Sequence, residues 1–187
     1  MKSKEEELSC IYKEQAASLY SYGCKFTSDK DLVKDCIHDV FVKLYEKDDF
    51  GSIYNLKFYL LRSFKNRLVD ELSKASPVYI DEPSFSYINE ISSEDKYIAE
   101  DKSKQMKVYV EKIFENLTNR QKEAIYLYYI EELSYNEISN ILGMNYQSVR
   151  NTVHRALSRL REQLGDMPPS FLFLYMRILL SHFFSKN

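Results

Sequence analysis

The sequence predicts an all-α protein: two small helical domains joined by an acidic linker and followed by an apolar C-terminal tail. Three observations carry this. Gly and Pro are scarce, with 4 of each in 187 residues, so there are few turn formers for the many hairpins an all-β fold would need. Glu, Lys, Leu, Ile and Tyr dominate, a composition that favours helices. Apolar residues recur at three- and four-residue steps in two separate blocks, with a Pro-, Ser- and acid-containing stretch between them.

The first block, residues 1–75, holds three helical patterns. Leu8, Ile11, Tyr12, Gln15 and Leu19 share one face of the first. Leu32, Val33, Cys36, Ile37, Val40, Phe41 and Leu44 form the apolar stripe of the second, with Thr27, Ser28 and Asp29 as candidate N-caps before it. The third starts near Asn55 and turns Leu56, Tyr59, Leu60, Phe64, Leu68 and Leu72 inward, which completes a small bundle.

Residues 76–104 change character. Pro77, Pro83, several serines and seven acids (Asp81, Glu82, Glu90, Glu94, Asp95, Glu100, Asp101) read as a linker that is flexible when free. The second block, residues 105–165, is helical again. Met106, Val110, Ile113, Phe114 and Leu117 form one stripe, and Ala124, Ile125, Leu127 and Tyr128 a second.

The most informative stretch is residues 133–157. Ser134 and Glu137 fit a capping box at the start of a short helix, Ile138, Ile141 and Leu142 face inward, and Gly143 supplies the positive-φ residue that ends it. Asn145 caps the next helix, whose buried face is read as Tyr146, Val149, Val153, Ala156 and Leu160. Two helices joined by a tight Gly-containing turn, the second one longer, make a helix-turn-helix. Gln147, Ser148, Arg150, Asn151, His154 and Arg155 cluster outward near the N-terminal half of the second helix, the part that enters a major groove. Arg can bond guanine O6 and N7 in bidentate fashion, and Asn or Gln can do the same for adenine. Arg159 and Arg161 lie further on and suit phosphates. A basic amphipathic helix alone would read as an ordinary solvated face; capping box, glycine and basic outward face together point to DNA.

Residues 166–187 form the tail, opened by Pro168 and Pro169. Its run from Phe171 to Phe184 is short for a spanning helix, which needs about 20 apolar residues, and Arg177 and His182 interrupt it. It reads as a segment that packs on the chain's own domains or serves as an interface for a protein or a membrane surface. The protein is not expected to be integral to the membrane.

Composition narrows the function classes. A formal net charge of −2 rules out a wholly basic nucleic-acid coat, so any DNA contact must come from a local face. Cys10, Cys24 and Cys36 show neither CxxC spacing nor a disulfide framework and read as reduced thiols. The opening Met1-Lys-Ser-Lys-Glu-Glu-Glu carries charge with no apolar run behind it, unlike a signal peptide, and the protein is read as cytoplasmic. His38-Asp39 lacks the further clustered histidines a metal hydrolase needs, and there is no phosphate-cradling glycine loop and no G-x-S-x-G. The chain is therefore expected to be no enzyme, with no cofactor, no metal and no small-molecule substrate.

With these residues in hand, a family resemblance is visible across residues 8–165. Residues 117–129 (LTNRQKEAIYLYY), 133–138 (LSYNEI) and 148–156 (SVRNTVHRA) resemble region 4 of the extracytoplasmic-function (ECF) sigma factors of bacterial RNA polymerase, in the sigma-70 family. The resemblance implies that Arg150, Asn151, His154 and Arg155 contact the upstream (−35) promoter element. Residues 31–46 (DLVKDCIHDVFVKLYE) resemble sigma region 2, which implies docking on the clamp helices of the polymerase's largest subunit through Asp35, Asp39, Val40 and Phe41. Residues 56–72 (LKFYLLRSFKNRLVDEL) resemble regions 2.3 and 2.4, which implies that Lys65, Asn66 and Arg67 contact the downstream (−10) element and its melted strand, with Tyr59 and Phe58 available for stacking. The chain departs from the family in carrying Tyr45 where a tryptophan is often found, and only Lys74 where a basic cluster often follows region 2.4.

The resemblance further implies core RNA polymerase and promoter DNA as partners, and an anti-sigma factor as regulator. Under it the acidic linker has two readings, a nucleic-acid mimic on the polymerase's RNA path or simply a solubilised tether. A stand-alone helix-turn-helix regulator is the alternative class. A receiver domain at its N-terminus would need alternating strands, whereas residues 8–75 read as helices.

Overall fold

The computed structural model describes residues 3–47, 50–75, 84–86, 112–164 and 168. These are helical or irregular, with no strand among them, and the chain divides into two compact units, Met1–Pro83 and Ser84–Asn187.

In the first unit, α1 (Lys4–Gly23), α2 (Lys30–Tyr45) and α3 (Leu56–Ala75) pack on one another. Each start is chemically marked. Ser3 and Glu6 form a reciprocal capping box at α1, each accepting the other's backbone N–H at 3.1 Å. Asp29 accepts from the N–H groups of Asp31 and Leu32 at α2, and Asn55 Oδ1 accepts from the Phe58 N–H at 3.0 Å at α3. The predicted stripe of α2 is buried at Val33, Cys36, Ile37, Val40, Phe41 and Leu44, against Leu60, Leu61, Phe64 and Leu68 of α3 and Leu19 and Tyr22 of α1. Each such side chain contributes roughly 1.5–3 kcal/mol by leaving water. α2 and α3 both crowd Gly23 at the end of α1, where a Cβ would stand 2.7 Å from the Phe64 ring and from Val33 Cγ1. The loop after α2 is fastened by Lys4, whose Nζ donates to the Lys47 carbonyl at 2.7 Å and lies 5.1 Å from the centre of the Tyr45 ring.

In the second unit, residues 112–115 are helical and lead into α4 (Asn119–Ile125), opened by a capping box between Thr118 and Gln121. The chain then widens into a π-helical turn, Tyr126–Ile130, in place of the α-helical second stripe the spacing predicts. After it Glu132 adopts φ 58°, a left-handed conformation unusual for a residue with a side chain. α5 (Tyr135–Leu142) carries the expected Ser134–Glu137 box, and ends at Gly143 with φ 63°. Asn145 Oδ1 then accepts from the Ser148 N–H at 2.7 Å and starts α6 (Tyr146–Leu164). Ile113, Phe114, Leu117, Ile125, Ala156 and Leu160 form the core of this unit.

Three expectations are revised. Val149, Val153, Ala156 and Leu160 are buried as read, but Tyr146 is 47% exposed. It is the first residue of α6, and although periodicity places it inward, Tyr135 of α5 meets it only edge-on and leaves about half of it open. Within the segment read as linker, Phe85 is 1% exposed and packs edge-on to Tyr126, with ring centres 5.8 Å apart. Val40 and Phe41 are 2% and 5% exposed, hence core rather than docking anchors. The remainder of the linker, the Met106 and Val110 part of the first stripe, and the tail beyond Pro168 lie outside the described residues.

Candidate nucleic-acid interface

α5, the Gly143 turn and α6 form the helix-turn-helix. The apolar face of α6 is held in the core, so its opposite face must point outward. Gln147, Arg150, Asn151, His154 and Arg155 are exposed there, and Ser148 is half-buried beside them. Gln147 Nε2 donates to Asn151 Oδ1 at 3.2 Å, which orients the two amides one helical turn apart. Together with Tyr135 of α5, Gln147, Arg150, Asn151 and His154 line a crevice of about 370 Å³. The face thus presents cations, amide donors and acceptors and an aromatic wall, a set suited to base edges and phosphates.

Arg159 does not belong to this face. Its Nη1 donates to the Asn116 carbonyl at 3.2 Å and to Gln121 Oε1 at 2.9 Å, which fastens α6 to the start of α4. Its partners make it a clamp of the fold rather than a free phosphate ligand.

An aromatic group beside the face escaped the sequence reading. The rings of Tyr128 and Tyr135 stack at 4.8 Å with 11° between their planes, and Tyr146 stands edge-on to Tyr135 at 5.8 Å. Burial, followed by the hydrogen bond with Tyr128, pushes the Tyr135 phenol up to about 12. Nothing in the spacing of these tyrosines announces the cluster, because Tyr128 sits in the π-turn and Tyr135 and Tyr146 open different helices.

The second set of candidates lies on the first unit. Asn66 is exposed and Lys65 half-buried. Arg67 is half-buried and paired within the unit. Its Nε donates to Asp39 Oδ2 at 2.8 Å, and its Nη1 pairs with Glu71, which also accepts from Lys74 at 2.9 Å. The hydrogen bond that Arg67 donates to Asp39 leads the causes that raise its guanidinium above its usual range, while the one that Lys74 donates to Glu71 leads those that hold Glu71 below the usual carboxylate range. Asp39 and Arg67, assigned to separate partners by resemblance, are thus joined across α2 and α3. Asp35, His38, Val42 and Tyr45 form an outward stripe of α2 at steps of three and four, with Lys30, Asp31, Lys34 and Lys43 also exposed on the helix. The aromatic candidates Phe58 and Tyr59 are half-buried, with Lys47 Nζ 4.5 Å from the centre of the Tyr59 ring.

Among the described residues no cluster of His, Cys, Asp or Glu could hold a metal ion, and no helix is long and apolar enough to cross a membrane.

Fold and face together define a two-unit helical protein with a helix-turn-helix in its C-terminal unit, the polar face of its second helix turned outward. Comparison with known proteins finds likenesses of the same class. Residues 107–160 match the sequence model of Sigma-70, region 4. The chain is 23% identical over 154 residues to the ECF RNA polymerase sigma factor SigM of Bacillus subtilis, covering 81% of this chain and 91% of that protein. It is 26% identical over 166 residues to SigW of the same organism, covering 84% and 87%. Its fold matches that of the sigma factor RpoE from Bartonella quintana, solved with the anti-sigma factor NepR, at a TM-score of 0.56 and 23% identity over 87% of this chain and 98% of that one. Across most of its length the chain is thus similar to ECF sigma factors, and the part that holds its helix-turn-helix matches Sigma-70, region 4.

Proposed function

We propose that the chain is an ECF-type sigma factor, which binds core RNA polymerase in the cytoplasm and directs it to specific promoters. The observation that carries this is the exposed Gln147, Arg150, Asn151, His154 and Arg155 face on a capped helix-turn-helix, preceded in the same chain by a separate three-helix unit in the sigma order. In this reading α6 enters the major groove of the upstream element. Arg150 and Asn151 read base edges, and Arg155 and His154 add cation and hydrogen-bonding contacts. The first unit docks on the polymerase through the outward stripe of α2, where Asp35 supplies charge and Val42 and Tyr45 supply apolar anchors, a mixture suited to a partner interface. Lys65 and Asn66 are the residues of that unit placed to meet the downstream element, and Arg67 supports them from the Asp39–Glu71 clamp. The polymerase supplies the chemistry of RNA synthesis; this chain supplies address. An anti-sigma protein is the expected regulator, by analogy with the RpoE complex.

The test is promoter-directed transcription in vitro with bacterial core polymerase, with and without this chain, on fragments of its host genome. Initiation at discrete sites that depends on the chain is the expected result. DNA binding with no affinity for core polymerase would move the reading to a stand-alone regulator.

A further inference from the structure

We infer that Tyr146 is a specificity residue of the recognition helix, reading the C5-methyl group of a thymine in the major groove. The inference rests on the promoter-reading function proposed above and extends it to a residue outside the polar reading set. Tyr146 is the first residue of α6, and the N-terminal residues of a recognition helix are those that reach base edges. It lies one turn before Arg150 on the same side of the helix and leaves 47% of its surface open. Over residues 146–163 every other exposed side chain of α6 is polar or charged, so Tyr146 is the one exposed aromatic that the helix offers there, next to the half-buried Tyr135 wall. In the major groove the chemical feature matched to an apolar surface is the thymine methyl.

The ring is also positioned in advance. Tyr135 meets it edge-on at 5.8 Å, and Tyr135 is itself stacked on Tyr128 at 4.8 Å. A large aromatic ring braced by a second and third ring loses little freedom on binding, so the contact carries little ordering cost. Four residues of helix rise about 6 Å, or roughly two base-pair steps, so the thymine read by Tyr146 lies within about two pairs of the guanine read by Arg150.

The experiment selects upstream elements from a randomised duplex pool, using the full chain assembled with core polymerase. Each thymine of the selected element is then replaced in turn by deoxyuridine, which removes the methyl and leaves every hydrogen-bonding group. Wild-type binding is expected to weaken about fourfold at one thymine, the loss associated with a single buried methyl. Tyr146→Ala is expected to bind the thymine duplex correspondingly less well and to be indifferent to deoxyuridine at that position, while Tyr146→Leu keeps the discrimination. Thermal melting checks the fold of each variant. Should Tyr146→Ala fail to fold, Tyr146→Gln, which keeps bulk and removes the apolar face, takes its place in the same cycle. Indifference of the wild type to every replacement, or an undiminished loss in the alanine or glutamine variant, overturns the assignment. A pool from which no sequence is enriched overturns the promoter-reading function itself, a result distinct from either of these.

Discussion

An arginine on a helix surface has two fates, and this chain shows both. Arg150 and Arg155 project from α6 into solvent, whereas Arg67 and Arg159 are tied to partners far away in the chain, Asp39 and Gln121, 28 and 38 residues distant. The fates separate in mutation. Under the proposed function Arg150→Ala is expected to weaken upstream-element binding by about 1–3 kcal/mol, the worth of a bidentate base contact, while leaving the melting temperature within error. Arg159→Ala breaks a charged hydrogen bond to Gln121 and one to the Asn116 carbonyl, and is expected to lower stability by about 1–2 kcal/mol with little change in preference between DNA sequences. Melting curves and competition binding on the same two variants decide it; equal losses of stability would mean that Arg150 also has a structural partner. Sequence reading placed Arg150 correctly on the outward face and could not place Arg159, because periodicity fixes the side of a helix and says nothing of what stands opposite. The same limit put Val40 and Phe41 among docking residues when motif likeness overrode an apolar spacing that already assigned them to the core.

Helices were legible wherever a cap and a stripe coincide. Ser134-x-x-Glu137 opens α5, Gly143 closes it in the left-handed region and Asn145 opens α6, each as read from residue type alone. The π-turn at Tyr126–Ile130 was not legible, since a widened turn holds the same residues as an α-helical one and is selected by packing around it. Nor was the weight resting on Gly23 at the end of α1, an unremarkable position in the sequence. There a Cβ would stand 2.7 Å from the Phe64 ring and from Val33 Cγ1, so three helices depend on its absence. Gly23→Ala is expected to destabilise the first unit by about 1–3 kcal/mol despite alanine's better helix propensity, because overpacking outweighs the roughly 1 kcal/mol gained from propensity. Adding Phe64→Leu should recover part of the loss by opening the space. A Gly23→Ala protein that melts at or above the wild-type temperature would show that the helices simply move apart.

At the scale of the whole molecule, the question is where one unit stops and the other begins. Composition places a linker over residues 76–104, from Pro77, Pro83 and the acids. Compositional averages, however, overlook a single anchor. Phe85 is buried beside Tyr126 of the C-terminal unit, at the start of the unit that begins with Ser84. The chain therefore joins its second unit at Phe85, some twenty residues before the helical pattern of the sequence resumes at Gln105. Phe85→Ala is expected to cost the C-terminal unit about 3 kcal/mol, since it leaves a cavity against an aromatic ring, and to leave the first unit unchanged. Denaturant unfolding of the full chain, followed by hydrogen exchange at α2 and α3 for the first unit and at α5 and α6 for the second, separates the two effects. Loss of protection confined to α5 and α6 would mark Phe85 as part of the domain that reads DNA. Unchanged protection in both units would mean that the ring adds nothing to the core it touches, and that the linker is free along its whole length.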